Sequence, residues 1–128
     1  MSYYINTIIS MEYDKAIDYV KEALKTEGFG VISEIDIQDK LKEKLDVDFK
    51  KYKILGACNP GYAYQALQKE DKIGTMLPCN VIVQEVGENK IEVAAVDPIA
   101  SMQAVENSEL GSIALDIQEK LKKVIISL

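Results

Sequence analysis

The sequence predicts an α+β fold: a mainly antiparallel sheet covered on one face by helices. Three observations carry that expectation. Apolar residues recur at helical spacing near both ends of the chain. β-branched and alternating segments lie between them, and two of these are joined by the short link "GEN" of a hairpin. The elements read β-α-β-(α)-β-α-β-β-α, and an open sheet of about five strands is expected with helices packed on it.

"YYINTII" (3–9) is rich in β-branched and aromatic residues and reads as a strand. Ser10 is then expected to cap a helix whose stripe is Tyr13, Ala16, Ile17, Val20, Ala23 and Leu24, with Gly28 just beyond its end. "VISEIDI" (31–37) alternates as a second strand, and Asp36 can cap a weaker helix carrying Leu41 and Leu45. "YKILGA" (52–57) is the third strand and leads into Cys58. Asn59 before Pro60 is the signature of an N-cap and first helical turn, since proline lacks the amide that would go unsatisfied there. That helix is expected to bury Ala63, Ala66 and Leu67. "NVIVQEV" and "KIEVAAVD" form the hairpin. The last helix has the longest stripe, Leu110 through Leu128, with Asn107 or Ser108 as its cap, and is expected to be the more buried of the two terminal helices.

At 128 residues the chain is expected to be one domain over 1–128, and 48% hydrophobic with 28% charged content is ordinary for a globular protein. No apolar run is long enough for a membrane-spanning helix, so no membrane partner is expected. The N-terminus lacks the pattern of a signal peptide, and with two cysteines in an acidic chain a cytoplasmic location is expected. The absence of histidine rules out Ser-His-Asp, Cys-His and His-zinc chemistry within this chain. Every one of the 15 basic residues is lysine, there is no tryptophan, and the net charge is −6, so no nucleic-acid partner is expected. The lysine-dense run Lys40 to Lys53 is broken by Glu43, Asp46 and Asp48 and reads as a solvated helix face.

The short stretches "GF" (28–29), "EID" (34–36), "LGACNP" (55–60), "AL" (66–67), "IG" (73–74), "LPC" (77–79) and "DP" (97–98), with Met102 after them, resemble the domain-of-unknown-function family 302. The resemblance spans nearly the whole chain, and "GACNP" followed by "LPCN" is its specific part. It implies a β-α-β-β-β-β-α order with short inserted helices, similar to the TATA-box-binding-protein-like superfamily, and makes a homodimer plausible. It implies no reaction, cofactor or catalytic residue.

The two cysteines are the candidate chemistry. Cys58 ends a strand just before a helix N-terminus, where amides and the helix dipole favour a thiolate; Cys79 starts the strand after that helix. Antiparallel strands would bring the two together and parallel ones would separate them; the resemblance favours the first. Asn59 and Asn80 could orient a carbonyl or water, and Tyr62 and Tyr64 could supply phenols. Two thiolates could hold a soft metal such as Cu(I), whereas tetrahedral zinc would need two further ligands. The simpler reading of both thiols is that they are packed core groups, since free cysteine behaves as a small hydrophobe. Asp36 and Asp97, a weaker carboxylate pair, are explained by capping. Three functions follow: a non-enzymatic module binding a small ligand or soft metal near Cys58 and Cys79, a thiol-dependent enzyme using Cys58, or a structural homodimerisation module.

Overall fold

A computed structural model describes residues 2–128. Its elements are β1 (Tyr4–Ser10), α1 (Tyr13–Thr26), β2 (Gly30–Asp36), α2 (Ile37–Leu45), β3 (Tyr52–Cys58), α3 (Pro60–Lys69), β4 (Cys79–Gly87), β5 (Lys90–Val96), α4 (Pro98–Ser101) and α5 (Gly111–Ser127). Short 3-10 turns at Asp71–Met76 and Ser108–Leu110 complete the chain. The five strands form one sheet in the order β1-β5-β4-β3-β2, with every neighbouring pair antiparallel.

Strand alternation sorts side chains between the two faces. Val81 and Val83 of β4, Ile91, Val93 and Ala95 of β5, and Leu55 and Ala57 of β3 are buried in the core with α1 and α5. The opposite face holds Tyr4, Asn6 and Ile8 of β1, Ile82 and Gln84 of β4, Glu92 of β5 and Tyr52 of β3, and among the described residues no helix lines the cleft on it. This is the expected sheet with its helices on one side. The β4–β5 hairpin turns through Asn89 at φ 52, a left-handed conformation that asparagine tolerates.

The first helix starts later than expected. Ser10 is the last residue of β1, and Glu12 is the N-cap of α1, without a side-chain bond to the helix. Ser10 therefore caps nothing: its strand pairing with Lys90 outlasts the apolar segment that marked it. At the other end, Gly28 takes φ +85, its amide donates to the Lys25 carbonyl at 3.0 Å, and the Phe29 amide donates to the Leu24 carbonyl at 3.0 Å. This double reversal closes α1 and drives Phe29 into the core.

Other expectations need correction. Of the α3 positions expected inside, only Ala66 is buried; Ala63 is half-buried and Leu67 is 43% exposed. α3 lies at the end of the sheet, where it covers a cleft instead of a packed layer. The α5 stripe does bury Ile113, Ala114, Ile117, Leu121, Val124 and Ile125, but α1 buries an equal share of its length, since both helices seal the same sheet face. Asn107 caps the 3-10 turn that feeds α5, accepting from the Glu109 amide at 3.0 Å, and α5 itself begins after that turn. α2 buries no residue; Leu41 is half-buried and Leu45 is exposed. In the lysine run, Lys40 pairs with Glu43, and Lys42 with both Asp46 and Asp48.

Candidate functional site

β3 and β4 bring the two cysteines to one end of the sheet. Ala57 stands directly opposite Cys79 in the antiparallel ladder, so Cys58 lies one residue beyond Cys79's cross-strand partner. The chain then leaves the sheet at Asn59 and enters α3 at Pro60. Cys58 is partly exposed, Cys79 is buried, and both are free thiols. Between this sheet end, α3 and the 77–78 segment lies a cavity of ≈ 300 Å³ whose wall includes Cys58, Cys79, Asn59 and Tyr62. Phe29, Met102 and Ile117 close it from more distant elements. The wall is almost wholly apolar.

Burial pushes the Cys79 thiol up to about 11, and the nearness of Cys58 adds to the shift. Cys79 is therefore a neutral thiol at neutral pH and contributes to the wall as a small apolar group. Cys58 is the accessible sulfur of the pair, at the N-terminal end of α3.

Asn59 occupies the N-cap position of α3, yet its side chain does not cap that helix. Its Nδ2 donates instead to the carbonyl of Glu27 at 3.2 Å, and Glu27 is the C-cap of α1. A helix C-terminus leaves carbonyls unpaired, and Asn59 satisfies one across the fold. The capping expectation for Asn59 is corrected accordingly: the residue locks α1 to the β3–α3 corner.

Asn80 is separated from the rest. It faces Gly56 in the β3–β4 ladder and lines a different cleft, on the open face of the sheet. Strand alternation accounts for this, because Cys79 points to the core and its neighbour must point the other way. Tyr64 is 65% exposed on the outer side of α3 and takes no part. Asp36 and Asp97 form no carboxylate pair. Asp36 accepts from the Asp39 amide at 3.0 Å, and Asp97 accepts from the Ile99 amide at 2.9 Å and from Gln118.

A family model described as a domain of unknown function, DUF302, matches residues 5–128. The chain belongs to this family. A solved structure, described as an uncharacterized conserved DUF302 protein from Bacillus stearothermophilus, is similar at 28% identity over 98% of both chains, with a TM-score of 0.89. No curated protein matches. Apart from "EID" and "DP", the stretches that carry the DUF302 resemblance, far apart in sequence, meet around the cavity, among them Phe29 from "GF", Cys58 and Asn59 from "LGACNP", Leu77 and Cys79 from "LPC", and Met102.

Ala63 and Ile117, expected only as core positions of their helices, also line the cavity, and so does Ile32, which no sequence pattern marks. Ile32 sits at an irregularity in β2, where pairing jumps between Val31 and Ser33, and such a bulge leaves no mark in the apolar pattern. Among the described residues, no three His, Cys, Asp or Glu side chains are grouped to hold a metal ion. What the arrangement offers is an apolar recess with one reachable thiol at its edge.

Proposed function

We propose that the chain is a non-enzymatic binding module whose ligand is a small, largely apolar molecule held beside Cys58 and Cys79. The observation that carries this reading is the ≈ 300 Å³ cavity with its apolar wall. That volume is at the lower end of the range for small-molecule sites, which are usually apolar with a few polar groups at fixed positions. Here those groups are Cys58, Asn59 and Tyr62. The apolar ligand is better supported than a soft metal, because a thiol as buried as Cys79 resists becoming the thiolate a metal needs.

Native mass spectrometry of protein purified without an affinity tag, together with elemental analysis, tests both forms. A bound organic mass that disappears in Ala63→Phe, which fills the cavity, supports the ligand reading. An Ala63→Phe protein that binds apolar probes as the unaltered protein does would sink it. A stoichiometric metal lost from Cys58→Ser would favour the metal form.

Two alternatives stay separable. A thiol enzyme using Cys58 requires a thiol more nucleophilic than free cysteine, so an alkylation rate no faster than that of free cysteine removes it. A homodimerisation module is favoured by β2, an edge strand with Ile32 67% and Ile35 43% exposed. In that reading two copies pair through β2, and sedimentation equilibrium would show a dimer that Ile35→Lys dissociates. We infer a cytoplasmic, single-domain protein; one core cluster and the absence, among the described residues, of any helix long and apolar enough to cross a membrane are compatible with that.

A further inference from the structure

The open face of the sheet carries a second cleft, of ≈ 410 Å³, on the side away from α1 and α5. Glu92 of β5 stands in it, half-buried, between two neutral amides. Asn6 of β1 donates from Nδ2 to Glu92 Oε2 at 2.8 Å, and Gln84 of β4 donates from Nε2 to Glu92 Oε1 at 2.6 Å. These bonds orient the carboxylate without neutralising it. Among the described residues, no lysine ammonium lies within 4.0 Å of Glu92.

Holding Gln84 by its nitrogen has a second effect. Its Oε1 must turn from the carboxylate, and it is buried with no hydrogen-bond partner. The opposite amide orientation would set two oxygens against each other, so the carboxylate decides the assignment. Tyr3, Tyr4 and Tyr52 wall the cleft, and Ile82 and Ala94 contribute apolar surface. Burial raises the Tyr52 phenol above its ordinary value, and Tyr3 and Glu92 add to the shift, which places all three polar ends within electrostatic reach.

We propose that this cleft binds a small organic cation, a primary ammonium on a short apolar or aromatic body, with Glu92 as its counter-ion. An ammonium carries three donors and no acceptor, which suits a carboxylate held by two neutral amides with no cation beside it among the described residues. Tyrosine faces attract cations, and the apolar surface between the rings accommodates the body of the ligand. The chain's net charge of −6 draws cations and disfavours anions. This site is independent of the cysteine cavity, which opens at the sheet end beside α3.

The test compares benzylammonium with benzyl alcohol, its neutral counterpart of similar shape, by following backbone amide shifts during titration. Benzylammonium should give saturable shifts at Tyr52, Gln84 and Glu92, and benzyl alcohol should bind at least about tenfold more weakly. Glu92→Gln should weaken benzylammonium by a similar factor while leaving the spectrum otherwise folded. Equal binding of the two probes to the unaltered protein, or shifts confined to residues around Cys58, overturns the proposal without need of any variant. Binding of N-acetyl-lysine methylamide as tight as that of benzylammonium would also overturn it, by assigning the cleft to a lysine side chain of a protein partner.

Discussion

Cys79 and Asn59 show how one residue's surroundings decide its chemistry. The Cys79 thiol is raised from 9.0 to about 11, chiefly by burial, so the folded state disfavours its thiolate. A raised folded value leaves stability intact below about pH 9 and removes it as pH climbs through about 11. A rise of that size corresponds to about 3 kcal/mol at full effect. Burial, then the carboxylates of Asp36, Asp14, Glu85 and Asp39, raise Tyr13 to about 12, which extends the loss to still higher pH. Urea unfolding at stepped pH should therefore show stability falling from pH 9 upward, and Cys79→Ala should flatten the first part of that fall. The same burial predicts that iodoacetamide at pH 8 labels Cys58 alone in the folded protein; prompt labelling of both thiols, read by peptide mapping, would contradict it. Asn59 was legible as an N-cap from its neighbour Pro60, and the backbone position is right. Its side chain's partner is Glu27, 32 residues earlier, and no local pattern encodes a bond of that range.

At the scale of elements, the turn at Gly28 and the strand position Gly56 depend on the absence of a side chain. Gly28 has φ +85, and a Cβ there would come within 3.1 Å of Asn59 Nδ2. Gly28→Ala should cost about 1 kcal/mol or more, and adding Asn59→Ala should not restore it, because the backbone strain outlasts the contact. At Gly56 the backbone is ordinary, but a Cβ would collide with Ser33 Oγ and come within 2.8 Å of Pro78 Cγ. Gly56→Ala should cost about 1–3 kcal/mol by overpacking, and Ser33→Gly should recover only part of that, because Pro78 remains; thermal unfolding of the single and double variants measures both. The helices were legible where an apolar stripe meets the sheet, as in α1 and α5. Leu67 was misplaced because α3 roofs a cavity, so a helical stripe there faces space as well as core. Asn80 was grouped with the cysteines by its place in "LPCN", although adjacent strand residues must face opposite ways.

Across the whole molecule, burial is graded from the sheet centre to the α2 side. β4 and β5 are interior strands whose core-facing residues Val81, Val83, Ile91 and Val93 are fully buried. α2 has no buried residue, and beyond it Val47 and Phe49 remain exposed, held by the bond from Gln38 Nε2 to the Phe49 carbonyl at 2.9 Å. Regions with few buried apolar contacts open at small free-energy cost, whereas core strands open only with global unfolding. Amide hydrogen exchange should therefore be fastest through α2 and residues 46–51 and slowest at Val81, Val83 and Val93, with protection at the slowest sites tracking global stability. Leu121→Ala, which hollows the core under α5 at a cost of about 2–5 kcal/mol, should speed exchange in β4 and β5 while leaving α2 unchanged. The α2 amides already exchange through a local opening that does not involve Leu121. If the substitution speeded α2 exchange by the same factor, α2 would be opening together with the sheet, and the gradient read from burial would be wrong.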